Sequence, residues 1–346
     1  MQNAVELRSW PSVGRRSAVS NTKAFVAVVV LCIGVAAGLA SWLPLQVSIL
    51  TVFLFAGPHN WFELRYFLMR LPVRFGRSRN FFITAFAGLG FLTLTYVSLP
   101  LLYRTASLAE ETWLTILAGW NTLLLAWLAL LTWQRGRQKN RQKRLTDWSW
   151  TVPVALTLAA LNWIRPDLFS LAIVYIHPLV ALWFLDRHLQ RTQPDWLRAY
   201  RRCVLLLPLL LGAMVWQLSR TPPLSDDNGL FWRITQHSGA ELLPQVSSHL
   251  LMSVHLFLEM LHYGVWIVAL PLIGASVKLW DVKNVPVARH PNGFPKLIGA
   301  MLIVALVMVV ALWLGFSADY ATTRDVYFTI AIAHVLAEAP FLLRML

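Results

Sequence analysis

The chain has 346 residues, 57% of them hydrophobic and only 13% charged, with a mean hydropathy of +0.57. A soluble domain carries about a quarter charged residues, so half that share argues against a cytosolic globule. The charge is lopsided, with 30 Lys+Arg against 16 Asp+Glu for a formal +14. The apolar bulk assigns this excess to a bilayer rather than to nucleic acid.

Two cysteines, Cys32 and Cys203, cannot build a disulfide scaffold and read as packing residues. Residues 1–23 are polar and no small-residue cleavage site follows the first apolar run. They read as a retained cytoplasmic segment ahead of a single transmembrane domain, 24–346.

A spanning helix needs about 20 mostly apolar residues. Ten segments meet or approach that length: 24–42, 46–70, 81–103, 112–134, 149–164, 168–186, 203–218, 246–272, 298–316 and 326–346. The fifth and seventh are short, and the longest loop, 219–245, is too small for a soluble domain. The expected fold is therefore an all-α, polytopic membrane bundle of about ten helices.

Basic residues sort by loop. Arg8, Arg15, Arg16 and Lys23 precede the first span, and Arg70, Arg74, Arg77 and Arg79 follow the second. RGRQKNRQKR follows the fourth, Arg187, Arg191, Arg198, Arg201 and Arg202 the sixth, and Lys278, Lys283, Arg289 and Lys296 the eighth. The alternate loops hold only Arg104, Arg165, Arg220, Arg233 and Arg324, so 25 of 30 basic residues fall on one side. The positive-inside rule then puts both termini in the cytoplasm, with a bacterial inner membrane as the expected location. The basic run touches membrane lipids, and Trp42, Trp133, Trp148, Trp150, Trp163 and Trp280 read as interfacial anchors.

Charged groups inside a bilayer are costly and mark functional sites by default. Only Glu63, Glu259 and Glu338 fall well inside a span, and each has a histidine four residues before it: His59, His255 and His334. Residues at i and i+4 share a helix face. A fourth histidine, His177, stands in mid-span with Ala181 at i+4. In the ten-span arrangement all four helices run the same way, and the four imidazoles lie at similar depth. They can converge on one metal, with the glutamates orienting ligands or shuttling protons. Iron is the expected ion, as Fe(2+). His262 stands three residues after Glu259, an E-x-x-H spacing that admits a two-metal alternative. Packing histidines on helix contacts are the structural alternative, and His188, His237, His249 and His290 read as loop or interfacial residues.

The segment FAGPHNWFE resembles the Brp/Blh-type membrane β-carotene 15,15′-dioxygenases, in which a Pro-His segment carries an acid four residues on. The SVHLF stretch around His255 is similar to that family's second histidine segment. The resemblance implies an embedded iron held by four histidines that splits a carotenoid with dioxygen. On it His59 is an iron ligand, Glu63 its outer partner, and His255 a further ligand. That family also places two histidines four residues apart on one helix, whereas no span here does so and His255 and His262 stand seven apart.

The expected function is a histidine-ligated, dioxygen-dependent iron oxygenase or oxidase acting on a lipid-soluble isoprenoid, carotenoid or lipid substrate. Two alternatives stand beside it. One is a haem-binding redox or haem-modifying protein, and the other a proton- or metal-coupled transporter using the cluster as a relay.

Overall fold

The computed structural model describes residues 18–72, 75–141, 148–224, 229–273, 285–289 and 294–346. Among them there is no strand. The helices are α1 (Ala18–Trp42), α2 (Pro44–Arg70), α3 (Arg79–Ala106), α4 (Glu110–Arg141), α5 (Thr151–Ile164), α6 (Pro166–Thr192) and α7 (Pro194–Val204). They continue with α8 (Leu206–Leu218), α9 (Gly229–His237), α10 (Ser248–Tyr263), α11 (Leu270–Ile273), α12 (Pro286–Arg289), α13 (Pro295–Ala318) and α14 (Tyr320–Met345). A six-residue π-helical turn, Gly264–Ala269, joins α10 to α11.

Helix starts are legible in the residues. Pro44, Pro166, Pro194 and Pro295 open α2, α6, α7 and α13, where the fixed φ suits the first turn and no N–H is wasted. Asp319 caps α14 by accepting from the Thr322 backbone N–H at 3.1 Å. That contact and the Thr322 hydroxyl hold its carboxyl below the usual carboxylate range.

Every one of the ten expected segments is helical, and among the described residues eight stretches are long and apolar enough to cross a membrane. The chain thus reads as an integral membrane protein. The two segments outside that count are α2, which carries His59, Asn60, Glu63 and Arg65 along its length, and α5, only 14 residues long. The seventh segment is longer than expected: α7 and α8 run almost without interruption from Pro194 to Leu218, so Arg198, Arg201 and Arg202 sit on a helix, not in a loop. The 219–245 loop contains α9. Arg324, expected in an external loop, lies inside α14 and is only 3% exposed. The basic run begins inside α4, which ends at Arg141, and residues 1–17, 142–144, Trp280 and His290 lie outside the described residues.

Three close packings set the frame. Gly57 lets α2 approach α13, where an added Cβ would stand 3.0 Å from Val309 Cγ1, and Trp61 Nε1 donates to Leu302 O across the same seam. Gly88 lets α3 receive the Trp127 ring of α4; a Cβ there would fall 2.0 Å from Trp127 Nε1, whose N–H donates to Thr84 O. Between α4, α5 and α6, the fully buried Asn121 donates to Asn162 Oδ1 at 2.8 Å, and Asn162 donates to Ala118 O at 2.9 Å. Such closed polar pairs bind helices where no water competes.

At the centre α2, α6, α10 and α14 run parallel. His59 meets His262 while Phe67 meets Trp266, and His177 meets His334 while Arg191 meets Met345.

Candidate metal centre

Each central helix carries a proline or a π turn beside its polar residues. Pro58 precedes His59, Pro178 follows His177, Pro340 follows Glu338 by two, and the π turn follows His262 and Tyr263 directly. Proline removes a backbone donor and π turns widen the helix, and both gather at functional positions. In α2 the carbonyls near Pro58 are taken by side chains: His59 Nδ1 lies 2.9 Å from Phe55 O and Asn60 Nδ2 donates to Ala56 O at 2.8 Å.

The Phe55 contact fixes the tautomer of His59. A carbonyl only accepts, so Nδ1 carries the proton and Nε2 presents its lone pair inward. That Nε2 is buried and has no hydrogen-bond partner. Both oxygens of Glu63 and both ring nitrogens of His262 are likewise buried and unpartnered. One donor atom each from His59, Glu63, His262 and His334 all lie within 4.8 Å of one another. A second group, His177, His262 and Glu338, meets the same limit and shares His262 with the first. His334 Nε2 stands 3.3 Å from His177 Nε2. His177 Nδ1 lies 3.1 Å from Glu338 Oε2, an ion-pair contact without hydrogen-bond alignment.

The structure therefore brings together His59, His177, His262, His334, Glu63 and Glu338. His255 and Glu259 stand apart from both donor groups. His255 faces Tyr175 at 5.7 Å and His237 at 5.3 Å between ring centres. Glu259 accepts from Tyr263 at 2.8 Å. The glutamates do not serve their own i−4 histidines: Phe55 O fills that role for His59, and Glu338 faces His177 of another helix.

Helix starts account for the exchange of His255 for His262. Counted from Pro44, Ser248 and Tyr320, the residues His59, His262 and His334 stand 15, 14 and 14 positions along their helices, and His177 stands 11 after Pro166. At 1.5 Å per residue these agree within about 6 Å. His255 is only seven positions into α10, about two turns shallower.

Above the donors is an outer polar tier. His237, expected as a solvated loop residue, ends α9 and packs on Phe328 at 4.2 Å. Burial and the charge of Arg324 hold it well below the usual histidine range. Arg324 spreads over Phe328 at 4.7 Å, and its Nε is buried without a partner. No spacing in the sequence marked Arg324 or His237. A cavity of about 130 Å³ reaches both tiers, and His59, His177, His262 and His334 line it together with His237, His255 and Glu259. Its remaining wall includes Tyr96, Trp120, Ile173, Ile332 and Val335.

Below the donors is an aromatic tier. Phe67 stacks on Phe341 at 4.4 Å, and Trp266 packs against Phe67 and Phe184 at 5.8 and 5.4 Å. Two further described histidines lie outside the donor groups: His249 Nε2 is 3.0 Å from Ser41 O, and His188 contacts Arg70. No protein-family model, no curated protein and no solved structure matches this chain.

Proposed function

We propose that the chain is a membrane-embedded metalloenzyme, an iron oxygenase or oxidase acting on a lipid-soluble substrate, with the ion held by His59, Glu63, His262 and His334. The observation that carries this reading is the set of buried, unpartnered donor atoms facing one another within 4.8 Å. Buried polar atoms are almost always hydrogen-bonded, and here six side chains from four helices form two donor groups that share His262, with His59 Nε2, both Glu63 oxygens and both His262 ring nitrogens left without a partner. Charge supports a cation there. Two carboxylates, Glu63 and Glu338, are enclosed with no lysine or arginine ion pair among the described residues. One divalent ion brings their sum to zero.

Three imidazoles with a carboxylate suit iron, and His177, facing Glu338, adds a further imidazole beside the set. A bound iron would activate dioxygen. Phe55 O orients His59, Glu338 holds His177 beside the set, and the aromatic tier keeps water from one side. The haem alternative fits less well, because His177 Nε2 and His334 Nε2 at 3.3 Å leave no slot for a macrocycle between them. Ligand pockets usually span roughly 300–1,000 Å³, so a chamber of about 130 Å³ takes the reacting part of a substrate and leaves its tail in the bilayer. The apolar wall formed by Trp120, Ile173, Ile332 and Val335 supports an isoprenoid, carotenoid or lipid as that substrate. The likeness of FAGPHNWFE to the Brp/Blh-type dioxygenases implies a substrate of the same kind, while the donor role of His262 in place of His255 departs from the second-segment match.

In the proposed topology α2 and α5 complete ten spans, with both termini and the basic loops on the cytoplasmic side of a bacterial inner membrane.

Metal analysis of the full chain purified in neutral detergent tests the reading. Bound iron near stoichiometry, with dioxygen uptake when polyene or isoprenoid lipids are added, is the expected result. Wild-type protein that carries no metal and takes up none on anaerobic refilling overturns it. A Soret band in pure protein turns the reading to haem.

A further inference from the structure

Beneath the aromatic tier, the C-terminal ends of α2, α6 and α14 gather arginines. Arg70 closes α2, Arg191 lies in the last turn of α6 and Arg344 in that of α14, with Arg135 arriving from α4. Arg344 feels the charges of Arg135, Arg70 and Arg191, and Arg191 those of Arg70 and Arg187. Their contacts are to neutral acceptors. Arg191 Nη2 donates to Met345 O at 2.7 Å, Arg344 donates to Arg70 O, and Arg70 Nη2 donates to His188 Nδ1 at 2.9 Å. Among the described residues none of Arg70, Arg191 and Arg344 has a carboxylate at ion-pair distance. Asp186, the nearby acid of α6, is occupied by Arg201 at 2.7 Å and Arg187 at 3.9 Å.

Arginines at helix C-termini are ordinarily explained by the helix dipole. Each end carries about −0.5 of an elementary charge, so three ends offer roughly −1.5 against the +3 of Arg70, Arg191 and Arg344. An excess of about +1.5 remains, and a phosphate monoester carries about −1.5 to −2. His188 supplies the second observation. Arginine only donates, so Nδ1 accepts from Arg70 and Nε2 carries the proton. That Nε2 is buried and has no partner.

We propose that Arg70, Arg191, Arg344 and His188 form a binding site for a phosphate group, carried on a membrane lipid headgroup or on a soluble phosphate. Arginine forks match phosphate oxygens in pairs, which a lysine cluster does not. The site stands at the end of the bundle that bears the basic loops, where a headgroup phosphate lies. It is independent of any metal in the tier above.

The test uses full-length protein in neutral detergent and native mass spectrometry, with phosphatidate and phosphatidylcholine offered together and inorganic pyrophosphate as the soluble probe. Phosphatidate is expected to bind about tenfold more tightly than phosphatidylcholine, as for one or two charge-assisted contacts. Arg191→Gln and Arg70→Gln each remove most of that preference. Arg191 is exposed, so its variant carries the test if Arg70→Gln fails to fold. Retention of phosphatidate against excess pyrophosphate assigns the site to a headgroup, and saturable pyrophosphate binding lost in Arg191→Gln assigns it to a soluble phosphate. Equal binding of both lipids with no pyrophosphate binding overturns the site. So does an equal loss in Arg137→Gln, an exposed arginine stacked on Trp133 away from the cluster.

Discussion

Replacing His262 and His255 separately by alanine divides a metal centre from a set of packing histidines. Both side chains are buried on α10, at 2% and 5% exposure, so the loss of packing is similar and cancels when each variant is compared with itself, with and without metal. His262 belongs to both donor groups and His255 to neither. Outer partners of metal ligands alone are worth about 10- to 100-fold in affinity, so losing a direct donor weakens binding by at least about 100-fold. At a metal concentration of about 100 times Kd, binding adds about 2.7 kcal/mol to stability. A 100-fold weaker site retains about 0.4 kcal/mol by the same relation, a loss of about 2.3 kcal/mol. Thermal unfolding followed by tryptophan fluorescence in detergent, with chelator and with anaerobic Fe(2+), reads this directly. The upward shift with iron is expected in wild type and His255→Ala and nearly absent in His262→Ala. A shift of equal size in all three, or its loss in His255→Ala alone, refutes the assignment of donors.

Two further outcomes follow from the frame. Gly88→Ala forces a Cβ into the Trp127 indole and is expected to cost about 1–3 kcal/mol through overpacking, read as a lower unfolding temperature with bound metal per folded protein unchanged. Asp319 is ionised in the folded cap with its carboxyl held low, so its contribution is complete above the unfolded carboxylate range near pH 4 and fades as pH falls through the folded value. Asp319→Asn keeps an N-cap acceptor, and its unfolding temperature is expected to decline less on acidification than that of wild type.

The positions of the helices were legible because apolar length is a strong signal and because Pro44, Pro166, Pro194 and Pro295 mark their starts. Their exact onsets were less so, and that had a consequence. With α14 read from 326 rather than Tyr320, His334 looked shallow and His255 its level partner. The true starts make His262 the residue at that depth. The scarcity of intramembrane carboxylates drew attention to Glu63, Glu259 and Glu338, of which Glu63 and Glu338 join the donor groups, yet spacing along one helix says nothing about contacts between helices. Glu338 faces His177 of α6, and Arg324 enters the core from what reads as a loop. These are tertiary facts, and no period of 3.6 residues encodes them.

The stacked rings of Phe67 and Phe341, closed by Trp266 and Phe184, give the chamber a back wall. None of these four residues lines the cavity, which instead reaches toward His237 and Phe328. Traffic between the donors and the arginine end would have to pass through packed aromatic carbon. On the proposed metalloenzyme reading, a guest would enter and leave from the side of His237 and Phe328, with the aromatic wall shielding the donors from the arginine end.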